Sequence, residues 1–407
     1  MTDIAGIVGA GQLDTDSMDA ADPLTPGYDA VLLAGFGGPE GPDDVMRFLR
    51  NVTRGRGIPE ERLVEVSHHY QALGGSSPIN EQNRLLRAAL EAELTRRGIS
   101  LPVLWGNRNW APYLADTITA AHADGQRRLL GVATSAYSSY SSCRQYREDF
   151  GLALSGTGLV GSVRIDKVRP YFDRPGFRLP FAEGTVDAAR RAIAAGLDIA
   201  DLEIVFTTHS IPVTMADTSG SAELDDHRPG GAYVTQHLAV ARAVIEHVTA
   251  ELGSSPSWQL AYQSRSGPPS MPWLDPDIND VIDDLAAAGR RGVVVVPIGF
   301  VSDHVGWCGI WTTRPPRPPP TMGCSSPGCG HRALSRALSP NSPTWSPSVS
   351  GWGPRTTGRR IGCCPGRSAG RISAPAGAAS TREPPARPPR RSIPPTTGPI
   401  SASTRRC

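Results

Sequence analysis

Apolar runs of strand length alternate with segments of helical period from residue 28 to residue 305. In one helical segment Leu86, Leu90 and Leu94 recur every four positions, and Gly98 supplies a C-terminal stop. Residues 293–296 are apolar throughout, which is typical of a parallel strand covered on both faces. The pattern predicts strands at 28–37, 101–110, 128–137, 202–210, 256–265 and 292–300, and helices at 80–98, 183–196, 232–253 and 277–289.

This alternation predicts an α/β fold built from doubly wound parallel sheets. The stretch is long enough for two such domains, which we place at residues 28–160 and 161–305. Ligands bind such sheets beyond the carboxyl ends of the strands. Those ends are rich in aromatic, Ser, Arg and His residues here, so we expect one cleft lined by them.

Residues 1–27 are polar and aperiodic, and we interpret them as a flexible leader. They lack the basic start and sustained apolar core of a secretory signal. No apolar run approaches the roughly 20 residues of a membrane helix. Residues 1–305 contain a single cysteine, Cys143, which gives no disulfide framework. We therefore expect a cytoplasmic protein without a transmembrane segment.

Residues 306–407 have a different composition. They contain 15 Arg, no Lys and one acidic residue, Glu383, which gives +14; because the whole chain carries +2, residues 1–305 carry −12. The same tail holds 19 of the 38 prolines and six of the seven cysteines. Clusters such as RPPRPPP do not hold a packed core, so we expect a disordered, Pro/Arg-rich tail.

Three interpretations of this tail are open: a basic arm for nucleic acid, a ligand of SH3-type domains, and translation in a shifted reading frame. GC-rich DNA read out of frame gives Arg, Pro, Gly and Ala without Lys, so the shifted frame accounts for most of the composition. The codons of residues 306–312, regrouped from the third base, permit Val-Val-Trp-Asp-Leu-Asp. We place the shift at Gly306 and expect no nucleic-acid partner.

Candidate chemistry lies at the ends of two predicted strands. His209 closes one of them, and a neutral imidazole is a good ligand for Fe²⁺ and similar ions. The alternative is a structural, hydrogen-bonded histidine. Asp303 and His304 follow the other strand, where they would bind a metal or form a turn with supporting hydrogen bonds.

Other motifs argue against several common chemistries. His68 and His69 are adjacent, so they point to different sides of a helix and are poorly placed to share a metal. Residues 1–305 have no GxxxxGK[ST] and no GxSxG motif, and the glycines of GFGGP lack the spacing of a dinucleotide site.

Taken together and in their order, seven segments resemble the ferrochelatase family in its actinobacterial form, which acts mainly on coproporphyrin III. The resemblance runs from Tyr28 to Val305. It implies two Rossmann-like domains around a porphyrin cleft, with Fe²⁺ and a porphyrin as substrates. The segments are LLAGFGGPEGPDDV, LGGSSPINEQ, GNRNWAPYLADTI, TSAYSSYSSCRQYRED, VFTTHSIP, AYQSRSGPPSMPWLDPDI and PIGFVSDHV.

The resemblance also assigns site residues. His209 matches the metal-site histidine of the HSIP motif, which implies that it ligates Fe²⁺ or accepts a pyrrole proton. Phe36 stands where some members have a tyrosine facing the metal. The other implied porphyrin-binding residues are Tyr70, Ser77 and Tyr146, together with Arg54 and Arg56 near the propionates. Arginine pairs bidentately with carboxylates, although the alternative for this pair is a solvated surface charge.

One implied group is missing. The family carries a glutamate directly after SDHV, and this chain has Gly306 there. Loss of a proton-accepting group lowers a rate by about 10²–10⁴. The resemblance further implies a [2Fe–2S] cluster on Cys143 and a C-terminal cysteine group. That group is legible only in the regrouped codons of residues 373–380, so we expect no cluster in this chain.

The sequence therefore predicts insertion of ferrous iron into coproporphyrin III, impaired by the change at Gly306. Two alternatives are a non-catalytic tetrapyrrole-binding remnant and a chelatase that inserts cobalt or nickel into another tetrapyrrole.

Overall fold

The computed structural model describes residues 27–55, 57–72, 74–220, 229–265, 267 and 270–302, together with the backbone of residues 321–324. The first sheet is parallel throughout, in the order β2-β1-β3-β4. Its strands are β1 (Ala30–Gly35), β2 (Val103–Asn107), β3 (Arg128–Ala133) and β4 (Arg164–Lys167). Five helices accompany it: α1 (Val45–Val52), α2 (Glu60–Ala72), α3 (Ile79–Arg96), α4 (Leu114–Ala123) and α5 (Gln145–Gly156).

The second sheet repeats the same strand order, as β6-β5-β7-β8, and is also parallel. Its strands are β5 (Leu202–His209), β6 (Ser257–Gln263), β7 (Gly292–Val296) and β8 (Thr321–Cys324). The accompanying helices are α6 (Pro175–Ala194), α7 (Val213–Asp217), α8 (Gly231–Leu252) and α9 (Ile278–Ala287). In each sheet the second strand in the chain lies on one side of the first strand, β1 or β5, and the third strand lies on the other side. The direction of strand addition therefore reverses at β1 and at β5, which places a ligand crevice at the carboxyl end of each.

Both central strands are buried on two faces, as the apolar runs predict. All six residues of β1 are buried. Val31 and Leu33 join a core cluster that also contains Ile204 and Phe206 of β5, so the two sheets share one continuous core. The opposite face of β1 packs against α4 and α5 through Leu32 and its neighbours.

The predicted doubly wound α/β fold is confirmed. Most predicted strands and helices agree with the structure to within two or three residues. The largest difference is α6, which begins at Pro175 rather than near residue 183. Proline suits the first turn of a helix because its missing N–H has no intrahelical acceptor there. A second proline, Pro180, lies within the helix, which is why its first half does not look helical in the sequence.

The predicted domain boundary at 160/161 precedes a strand of the first sheet. β4 (Arg164–Lys167) pairs with β3, from Arg128↔Arg164 to Gly131↔Lys167, and so belongs to the first sheet. The strand is four residues long and polar, RIDK, which gives no apolar run to detect.

In the tail, β8 runs parallel to β7 with the register Gly292↔Thr321 to Val295↔Cys324. The rest of residues 306–407 and nearly all of the leader lie outside the described residues. Across the described residues, no helix combines the length and apolarity that a membrane span requires.

Candidate active site

His209 is the last residue of β5, at the crevice of the second sheet. Its ladder partner is Gln263, the last residue of β6. The Nδ1 atom of His209 lies 3.1 Å from the carbonyl oxygen of Gln263. Because a carbonyl only accepts hydrogen bonds, Nδ1 carries the proton and donates. The lone pair is therefore on Nε2, the nitrogen that a metal or a proton would meet.

Burial keeps this imidazole neutral. Desolvation lowers the pKa of His209 below its usual value, and the hydrogen bond to the Gln263 carbonyl opposes the shift only in part. Among the residues that the structure describes, no hydrogen-bond partner of Nε2 is present. The group is thus a neutral base or ligand with its acceptor atom open.

The side chain of Gln263 is a candidate that the sequence analysis did not single out. It is 1% exposed, and neither its Oε1 nor its Nε2 has a partner among the described residues. The hydroxyl of Thr207 is also buried without a hydrogen-bond partner among the described residues. Thr207 projects from the same face of β5 as His209. A buried polar group without a partner costs about 1–3 kcal/mol, and such groups collect at functional sites.

Aromatic rings line the crevice of the first sheet. Phe36 directly follows β1, and its ring is 38% exposed. It meets Phe48 of α1 edge-on, with the ring centroids 6.4 Å apart. Phe48 also contacts Tyr70 of α2 and Trp110, each at 6.1 Å between centroids. The group presents an apolar, aromatic surface of the kind that binds flat ligands.

Arg108, the first residue after β2, places a guanidinium against aromatic rings in this crevice. Its guanidinium lies 4.8 Å from the centroid of Tyr146 and 5.8 Å from that of Phe36. Its Nε is 2.6 Å from the carboxylate of Asp149, and the side chain is only 7% exposed. The sequence does indicate Arg108 as a candidate, since the arginine of GNRNW stands at the carboxyl end of a predicted strand.

The two crevices meet through several hydrogen bonds. The Tyr137 hydroxyl, from the segment after β3, donates to the carbonyl of Ile298 after β7, at 2.9 Å. The backbone N–H of Ser138 donates to the side chain of Gln236 on α8, at 2.8 Å. These contacts hold the end of β3 against the strand ends of the second sheet.

The sequence model of the ferrochelatase family matches residues 28–306. The chain belongs to the ferrochelatase family. It is 60% identical over 285 residues to the coproporphyrin III ferrochelatase of Leifsonia xyli subsp. xyli, which covers 68% of this chain and 72% of the relative. The protein of that name from Streptomyces griseus is 53% identical over 292 residues, covering 70% and 76%. The one from Tropheryma whipplei is 48% identical over 305 residues, covering 72% and 77%.

The ferrochelatase match therefore ends at the residue where we place the shift of reading frame. Gly306, with Asp303 and His304, lies outside the described residues.

The residues that the ferrochelatase resemblance assigns to porphyrin fall into two groups. Phe36 and Tyr70 come together through Phe48. Tyr70 is largely buried, which raises its pKa to about 12. Tyr146 is 3% exposed beneath Arg108, and Ser77 is 7% exposed, with its N–H donating to the Pro39 carbonyl at 2.8 Å.

Arg54 is exposed, and Arg56 lies outside the described residues.

Cys143 lies in a short π-helix, Tyr140–Arg144, and is a free, buried thiol. In the described part of the chain, no three His, Cys, Asp or Glu side chains converge as metal ligands. The tail, to which the cluster prediction also refers, has no described side chain.

Proposed function

We propose that this chain inserts Fe²⁺ into coproporphyrin III, with the domains meeting after Lys167. The observation that carries the proposal is the neutral imidazole of His209 with its acceptor nitrogen open at the end of β5. Family membership and relatives that are named for the coproporphyrin reaction support it. The family match over residues 28–306 includes the carboxyl ends of β1 and β5.

In this reaction Fe²⁺ enters the macrocycle and two pyrrole N–H protons leave, with no change in the oxidation state of iron. Nε2 of His209 would accept one proton or hold the metal as it enters. Phe36 and Tyr70 would contact the flat faces of the porphyrin, and Ser77 would lie at its edge. Tyr146 would act through Arg108, because the guanidinium covers its ring.

The carboxylates of the substrate would bind cationic side chains near the cleft. Coproporphyrin III carries four propionates, and exposed Arg54 together with Arg56 would pair with them. Arg108 is already paired with Asp149, so it contributes a net neutral, hydrogen-bonding surface rather than a free charge. We therefore assign propionate binding to the 54–56 segment rather than to Arg108.

Turnover would be impaired because Gly306 stands where the family has a glutamate. The glutamate that would accept the second proton is then missing, which lowers the rate by about 10²–10⁴. We attribute Gly306 and the tail to a shifted reading frame; the family match ending at residue 306 supports this. The same change favours one second candidate, a tetrapyrrole-binding remnant that no longer turns over.

An anaerobic assay separates the two. Purified chain, coproporphyrin III and Fe²⁺ are mixed, and the metalloporphyrin absorption spectrum is followed. Slow product formation that His209→Gln abolishes, and that His247→Gln on α8 does not, supports iron insertion. Quenching of porphyrin fluorescence without product, in wild type and in both variants, indicates the remnant.

The proposed absence of a [2Fe–2S] cluster has its own test. Protein purified without oxygen is examined by absorption and EPR spectroscopy. Featureless spectra agree with the proposal, whereas a [2Fe–2S] signature that Cys143→Ser removes contradicts it.

A further inference from the structure

The helix α8 carries a fully buried histidine, His237, that the proposed reaction does not use. Its ring stacks on that of Tyr137, with centroids 3.6 Å apart and planes 15° apart. Its Nδ1 lies 2.7 Å from the carbonyl oxygen of Tyr233, one turn earlier in the helix. Because that carbonyl only accepts, Nδ1 donates and Nε2 is left as an acceptor in the neutral ring.

Nε2 of His237 faces the hydroxyl of Thr208 at 2.9 Å. The same hydroxyl lies 2.9 Å from the hydroxyl of Tyr233, which donates to the carbonyl of His209 at 2.8 Å. Thr208 donates its one proton to Nε2 of His237, and Tyr233 donates its one proton to the carbonyl of His209. No proton is left between the two hydroxyls, so this chain of contacts consists of two hydrogen bonds joined by a close contact of the hydroxyl oxygens. It gives a proton no route to the His209 imidazole. These contacts therefore hold the backbone in place rather than carry protons.

The backbone of His209 requires such support. β5 pairs with β6 as far as His209, but with β7 only as far as Phe206. Beyond that point the N–H of Gly299 donates to the Thr207 carbonyl at 3.2 Å. The next carbonyl on the same side, that of His209, receives its hydrogen bond from Tyr233 instead of from a strand.

The segment after β7 closes over this contact. A Cβ at Gly299 would overlap the side chain of Thr208. The segment after β7 therefore packs closely against Thr208.

His237 also fixes the opposite side of the cleft. Tyr137, on which it stacks, donates to the Ile298 carbonyl after β7. Gln236, which precedes His237 in α8, accepts a hydrogen bond from the N–H of Ser138 at 2.8 Å and donates one to the hydroxyl of Ser138 at 2.9 Å. Two consecutive residues of α8 therefore hold the segment after β3, while one of them also holds the end of β5.

We infer that His237 is a positioning residue for His209, which aims the metal-site imidazole by fixing the end of β5 against the segment after β3. The inference rests on the proposed function for its consequence in catalysis, but not for its geometry. A change of about 1 Å in the position of a reacting group can lower a rate about 10²-fold. Removal of the chain of contacts is therefore expected to lower kcat about 10- to 100-fold.

The test uses variants that remove single polar atoms. Tyr233→Phe removes the donor to His209, Thr208→Val removes the linking hydroxyl, and His237→Phe keeps a ring to stack on Tyr137. The full chain is labelled with ¹³C in its histidine rings, and the ¹H–¹³C signal of His209 is assigned by its loss in His209→Gln. The matched control is Tyr171→Phe, which removes a buried tyrosine hydroxyl that donates to the Ala133 carbonyl at 3.0 Å.

At pH 7.5 we expect the His209 signal to move in all three variants and to stay in place in Tyr171→Phe. In the iron-insertion assay kcat should fall in the same three variants, while KM for coproporphyrin III changes little. His237→Gln, whose amide can place a polar atom near the position of Nε2, should restore most of the rate.

An unmoved His209 signal in Tyr233→Phe and Thr208→Val overturns the inference, as does an equal movement in Tyr171→Phe. If the His209 signal moves in those two variants but not in His237→Phe, then His237 is not a positioning residue for His209. If the wild-type chain shows no turnover, the proposed function fails, yet the NMR comparison still decides whether His237 positions His209.

Discussion

Arg108 and Asp149 form an ion pair with 2.6 Å between Nε and the carboxylate, and the two side chains are only 7% and 19% exposed. The pair places a desolvated guanidinium between the rings of Tyr146 and Phe36. Its surroundings differ from those of the surface pairs, because little solvent screens the charges.

Asp149→Asn is expected to lower the free energy of unfolding by about 2–4 kcal/mol, since the charge of Arg108 loses its close, desolvated partner. Thermal or urea unfolding measures the loss. The control is Glu91→Gln, which breaks an exposed pair with Arg87 and should change stability by less than about 0.5 kcal/mol. Equal, small effects in both variants would show that Arg108 gains nothing from Asp149.

His237 gives the fold a stability that depends on pH. Burial lowers its pKa to about 3, whereas a histidine in the unfolded chain titrates near 6.5. Between these values the unfolded state binds the extra proton, so stability falls as the pH falls from about 6.5. From pH 7 to pH 5 the loss due to His237 is about 2 kcal/mol.

Urea unfolding at pH 7 and pH 5 checks this. The His237→Phe variant should lose about 2 kcal/mol less than wild type over the interval. His247→Gln, on the same helix, should follow wild type. Parallel curves for wild type and His237→Phe would mean that the ring is charged in the folded state.

The lowered pKa of His209 predicts that iron insertion tolerates mild acid. The imidazole stays neutral below its usual pKa, because desolvation disfavours its charged form. The contribution of His209 should therefore be half lost only at a pH below about 6.5. The pH profile of kcat in the wild type measures it. Half-loss above pH 6.5 would contradict the burial argument.

Gly299→Ala should destabilise the chain by about 1–3 kcal/mol, because its Cβ would overlap the side chain of Thr208. Gly41→Ala is the control, since a Cβ there has no heavy atom within 4 Å. Its effect should remain within about 0.5 kcal/mol. Thermal unfolding of both variants measures the change in stability. A tolerated Gly299→Ala would show that the segment after β7 shifts easily to accommodate the Cβ.

The reading-frame proposal is tested on the DNA. Resequencing across the codons of residues 300–312 should reveal a base lost from a glutamate codon at position 306. The protein expressed from a gene with that base restored should gain turnover of about 10²- to 10⁴-fold. An intact frame whose alternative translation is full of stop codons would contradict the proposal.

The alternation of apolar strands with amphipathic helices predicted the fold class, because both β1 and β7 are buried on two faces and read as continuous apolar runs. It missed β4, whose residues RIDK are held by their pairing with β3 rather than by apolar burial. His209 was found because it ends a strand that the pattern locates.

His237 could not be found in that way. It sits on the buried face of an amphipathic helix, where a histidine and an aliphatic residue produce nearly the same pattern. Its chemistry arises from Thr208 and Tyr137, which are 29 and 100 positions away in the chain and meet it only in the fold. Arg108 had a signal in its position after β2, but its partner Asp149 did not.

The carbonyl of Gln263 accepts from Nδ1 of His209 and also from the N–H of Ser210, at 2.7 Å. The atom that selects the imidazole tautomer thus belongs to the main chain. Any residue at position 263 supplies it, provided that β5 and β6 stay in register. Evolution can therefore vary that side chain without changing which nitrogen faces the ligand, and only a slip of the two strands would reverse the choice.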